Sequence, residues 1–71
     1  PDECVQEFSS LTEAELQVAE EFEDEIKNAG ATYIHIKRQD NHPNKMNIWG
    51  PTRDAVEQAT EKYVELQNQH A

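Results

Sequence analysis

The sequence predicts an α+β fold, with one small three-stranded antiparallel sheet and helices packed on one of its faces. Three observations lead there. A capping box opens a stretch of helical hydrophobic spacing after Thr12. Two short segments, 32–37 and 45–49, then switch to a period of two across a polar loop. A second helical stripe follows Gly50-Pro51. Changes of period from 3.6 to 2 and back mark the boundaries between such elements.

Each element can be justified in chain order. Glu3 to Phe8 is a candidate first strand that places Cys4, Gln6 and Phe8 on one side. Thr12 and Glu15 then form a T-x-x-E capping box, in which each satisfies a free backbone donor of the other. Leu11 before the cap and Leu16 after it have the spacing of a hydrophobic staple. Leu16, Ala19, Phe22, Ile26 and Ala29 continue at steps of three and four, and Gly30 follows where a helix-ending glycine belongs. A helical region over 12–29 is expected, with a break near Leu16–Ala19.

From Thr32 to Lys37, Ile34 and Ile36 oppose Tyr33, His35 and Lys37. From Lys45 to Trp49, Met46 and Ile48 oppose Lys45, Asn47 and Trp49. Joined by the polar loop 39–44, which contains Pro43, these read as an antiparallel hairpin with one buried face. Gly50-Pro51 ends the second strand. Thr52 is the expected N-cap of a last helix, with Asp54 in its first turn. Its stripe of Val56, Ala59, Tyr63 and Leu66 carries it to about Gln67, leaving Asn68 to Ala71 to fray. Two helical regions would thus cover Ile34, Ile36, Met46 and Ile48, leaving the other sheet face open.

Composition narrows the function. Seventy-one residues make a single domain, 1–71, and the start at Pro1-Asp2 suggests a segment of something longer. No apolar run is long enough to span a membrane, so no membrane insertion is expected. The one cysteine, Cys4, allows neither an internal disulfide nor a cysteine-rich zinc site, which makes a reducing, cytoplasmic compartment the default. The histidines His35, His42 and His70 lack metal-ligand spacing, and there is no phosphate loop, nucleophile elbow or kinase signature. Neither enzyme activity nor a cofactor or metal is expected.

The net charge of -9 is uneven. Residues 1–25 hold ten acids and no base, while residues 26–71 hold five acids and all six bases, giving -10 and +1. The ordinary role of such an acidic run is a solvated helix face; a docking face for a basic partner is the sharper alternative. A calcium loop would need an aspartate-rich turn with glycine, which is absent.

Strand alternation gathers Tyr33, His35, Lys37, Lys45 and Trp49 on the open sheet face, with Arg38 at its edge. These six residues are the candidate interaction face. Aromatic and basic groups together suit single-stranded nucleic acid. Trp and Tyr equally suit a protein contact. Coverage by flanking parts of a parent chain would leave them without a function of their own.

The segment from Phe22 to Leu66 resembles a type I KH domain. The resemblance lies in Gly30-Ala31-Thr32-Tyr33-Ile34-His35-Ile36, in Met46-Asn47-Ile48-Trp49-Gly50 and in Val56-Glu57-Gln58-Ala59. Loop and flanks look most like the KH repeats of vigilin-type proteins. Such a resemblance implies a KH type I-like sheet and RNA association through a Gly-x-x-Gly loop between the first two helices. Here the chain departs from the pattern. Its only glycines are Gly30 and Gly50, and the expected loop region, Leu16 to Glu21, has no glycine, no base and two acids. Close approach of phosphate there would be opposed sterically and electrostatically.

The expectation is therefore a degenerate KH-like module of an RNA-associated protein. It would act mainly in protein–protein or interdomain contact, with a protein or neighbouring domains of the parent chain as partner and with RNA binding weak or absent. The alternative is weak single-stranded RNA binding on the aromatic and basic open face. An RRM-like domain shares the element order, but residues 67–71 cannot supply the fourth strand it needs.

Overall fold

The computed structural model describes residues 4–38 and 44–70. Along the chain run β1 (Cys4–Leu11), α1 (Glu13–Glu21), α2 (Glu23–Ala29), β2 (Tyr33–Lys37), β3 (Asn44–Gly50) and α3 (Arg53–His70). The three strands form one antiparallel sheet in the order β1-β3-β2. The α+β class and the helix-covered sheet follow the sequence expectation. The polar loop, with His42, lies outside the described residues apart from Asn44, which begins β3.

The first strand is longer than the sequence suggested. Cys4, Gln6 and Phe8 stand opposite Gly50, Ile48 and Met46, so their side faces the helices. The register shifts between Ser9 and Leu11, and Ser10 takes a left-handed conformation with φ 60°. Such a bulge bends a strand. Here it delivers Leu11 to the edge of the core, immediately before the helix cap.

The capping box forms as its sequence dictates. The Glu15 N–H donates to Thr12 Oγ1 at 3.2 Å, and the Thr12 N–H donates to Glu15 Oε1 at 2.7 Å. The expected break near Leu16–Ala19 is not there. Leu16, Val18 and Ala19 lie inside α1 and are buried, and the chain leaves helical geometry only at Phe22 (φ -110°, ψ 26°). A loop at Leu16–Ala19 would have exposed three core side chains. One helical region is thus two helices, and among the described residues three helices cover the sheet rather than two.

Leu16, Ala19, Ile26, Ile34, Met46, Ile48, Ala59, Tyr63 and Leu66 meet in one core, with Phe8, Leu11, Phe22 and Ile36 packed on its margin. Tyr63 is completely buried, yet its hydroxyl donates to the Glu15 carbonyl at 2.9 Å. Phe8 meets the Tyr63 ring edge-on, with centroids 5.4 Å apart. Burial pushes the Tyr63 phenol up to about 12.

Gly30 ends α2 with φ 156°. A Cβ at this position would run into the Ala55 carbonyl, so the end of α2 and the first turn of α3 approach backbone to backbone. The last helix starts at Thr52, whose Oγ1 accepts from the Ala55 N–H at 3.1 Å. It runs on through Asn68 to His70 instead of fraying after Gln67. His70 helps to hold that end by stacking on Phe22, with centroids 4.5 Å apart and planes 24° apart.

Candidate interaction face

The open face is built by register. On it, Tyr33 of β2 stands opposite Trp49 of β3, which stands opposite Val5 of β1. The next row is His35, Asn47 and Glu7, and the last is Lys37, Lys45 and Ser9. The face therefore grades from aromatic and aliphatic at one end to basic at the other over four residues of strand, about 13 Å. Tyr33 is 51% exposed, whereas Trp49, on the central strand, is half-buried between its neighbours. The Tyr33 and His35 rings lie nearly parallel, 13° apart with centroids separated by 6.3 Å.

The two lysines are direct cross-strand partners. Like charges in that position cost stability. Neither has an acidic partner among the described residues, while Lys27, Arg38 and Lys62 all have one. A shallow hollow beside them is lined by Glu7, Ser9, His35, Lys37, Lys45 and Asn47, among others.

Five of the six candidate residues share this face, and Arg38 does not join them. One residue past β2, its guanidinium reaches the exposed side of α1. Nη2 lies 2.7 Å from Glu13 and 2.6 Å from Glu20, with further hydrogen bonds from Nε and Nη1. Those hydrogen bonds hold both carboxyls below the usual carboxylate range, and the two carboxylates in turn raise the already high guanidinium pKa. The sequence carries no local mark of this clamp. Its members are 25 and 18 residues apart, and only the fold makes them neighbours.

The second region of interest is the junction of α1 and α2. It consists of Phe22 alone, followed directly by Glu23 and Asp24 and preceded by Glu20 and Glu21. Its backbone N–H is already bonded to Val18 O, and its carbonyl accepts from the Ile26 N–H. Backbone groups used in this way are not free to meet a ligand.

Among the described residues, no group of histidine, cysteine and acidic side chains is placed to hold a metal ion. No helix among them is long and apolar enough to cross a membrane. No family model matches the chain, and no curated protein or solved structure does either.

Proposed function

We propose that this chain is a divergent KH-like module of an RNA-associated protein that works mainly by protein–protein or interdomain contact, its usual RNA groove disabled. The observation that carries the reading is the α1–α2 junction. Where the resembled family has a glycine loop, this chain has a single aromatic residue with both backbone groups hydrogen-bonded and acids on either side. The stacked His70 ring occupies one side of Phe22 as well. Phosphate brought there would meet Glu21 and Asp24, which have no basic partner among the described residues, while Arg38 and Lys27 are already engaged by Glu20 and Glu23. The helix-covered sheet and its open opposite face support the same reading, because they leave Tyr33 and Trp49 as anchors for a protein partner. Such a module would work in the cytoplasm.

The test is titration of the chain with short single-stranded RNA, followed by backbone amide shifts. No shift changes are expected at residues 20–24 up to about millimolar RNA. Saturable changes centred there at micromolar RNA would overturn the reading.

A further inference from the structure

We propose that the open sheet face takes the outer side of α3 from a second copy of this chain. This deepens the reading of the chain as a protein-contact module and rests on it. Both halves of the contact are present on one molecule. Tyr33 and Val64 are the exposed large hydrophobic side chains among the described residues, at 51% and 43%. Tyr33 belongs to the open face and Val64 to α3. At 100° per residue, Glu57, Glu61, Val64 and Asn68 fall within about 60° of arc. That arc lies opposite the buried Val56, Ala59, Tyr63 and Leu66.

Most charges match as well, with Arg53 on this side of α3 and Glu7 on the sheet as the like-charged exceptions. Neither Glu57 nor Glu61 has a basic partner among the described residues, and neither Lys37 nor Lys45 has an acidic one. The open face carries two lysines against Glu7, a formal +1, which leaves -10 on the rest of the chain. A basic patch favours contact with acidic surface, which a second copy of this acidic chain supplies.

Dimensions agree. The outer strands of a three-stranded sheet are about 10 Å apart, close to the diameter of one helix. Val64 over the Tyr33–Trp49 row puts Glu57, seven residues and about 10.5 Å back along the helix, within reach of the Lys37–Lys45 row about 13 Å away. The two surfaces differ, so the contact is heterologous and propagates from copy to copy unless its rotation closes a ring. One helix on three strands buries less than the roughly 1,200 Å² of a stable complex.

Sedimentation equilibrium from about 20 µM to about 1 mM tests this, in about 0.15 M salt so that repulsion between acidic copies is muted. The average mass of the native chain should rise with concentration without levelling at two copies, unless a ring closes. A double variant Lys37→Glu/Lys45→Glu should stay monomeric, and so should Glu57→Lys/Glu61→Lys. Mixed in equal amounts the two should associate again, because each then finds complementary charge on the other. A native chain that is monomeric throughout, association that survives either double reversal, or a mixture that stays monomeric would each overturn the proposal. So would a monomer whose Trp49 emission is quenched by a short RNA, which would give the face to nucleic acid. Since the α1–α2 junction takes no part, failure here is distinct from failure of the RNA-groove reading.

Discussion

The two faces of one sheet are made by the same three strands and behave as different materials. Inward, Ile34, Met46 and Ile48 are sealed against the helices with almost no solvent exposure. Outward, the residues between them are aromatic, polar and basic, and include a lysine pair that works against the sheet. Side chains that add stability belong on the first face. The second carries the costly Lys37–Lys45 pair, and an open face with such a pair is where a binding role is expected. The inner face answers to the fold, while the outer face carries groups that the fold does not need.

Substitutions can break or sharpen this contrast, and the largest effect belongs to the inner face. Ile48→Ala removes a fully buried side chain from the central strand. It should cost about 3–4 kcal/mol, a large share of the stability of so small a domain. Urea denaturation would measure it, and a loss below about 1 kcal/mol would mean the inner face is not tightly packed.

Tyr63→Phe comes next. It deletes the hydrogen bond to Glu15 O and should cost about 1 kcal/mol at neutral pH. Its pH dependence has a definite sign. Because burial raises the folded phenol to about 12, the folded state keeps its proton longer than the unfolded chain. The resulting stability is complete below about pH 10 and is lost as pH rises toward 12. The gap between native chain and variant should therefore narrow over that window when urea midpoints are compared.

Arg38→Gln tests a contact that lies between the two faces. Its effect on the thermal midpoint at pH 7 should be smaller still, since all three partners are exposed. Lowered carboxyl pKa values stabilise the fold above the ordinary carboxylate range and stop doing so as pH falls through the folded values. The variant and the native chain should thus converge once pH falls below the folded carboxyl values, and also in about 1 M salt. A difference that persists in both conditions would assign Arg38 a packing role.

The smallest change should have the opposite sign. Lys45→Glu turns a like-charge cross-strand pair into an opposite one and should stabilise the chain by a few tenths of a kcal/mol. A stabilising substitution on the outer face beside a costly one on the inner face is the contrast in its clearest form.

What could be read from the sequence follows from interaction range. Thr12 and Glu15 cap a helix through contacts three residues apart, so their pattern suffices. Ile34 and Ile36, like Met46 and Ile48, announce their face by alternation. Phe22 was hidden because Leu16, Ala19, Phe22 and Ile26 keep helical spacing straight through the break, so the apolar pattern carries no mark of it. The capture of Arg38 by Glu13 and Glu20, and the stack of His70 on Phe22, depend on where distant elements land. For the open face, composition gave its members and alternation gave their side, but only register pairs Lys37 with Lys45 and Tyr33 with Trp49.

The strand order also governs how the chain comes together in time. The central strand is the last of the three to be made, and Cys4 must find Gly50 across most of the intervening chain. Closing a loop of that length is entropically costly before any pairing rewards it. Of the three strands β1 is made first and has no partner strand until residues 44–50 are made, and Phe8 has no Tyr63 ring against it until α3 follows. Until then its backbone edge is open to any other extended chain, including β3 of a neighbouring copy.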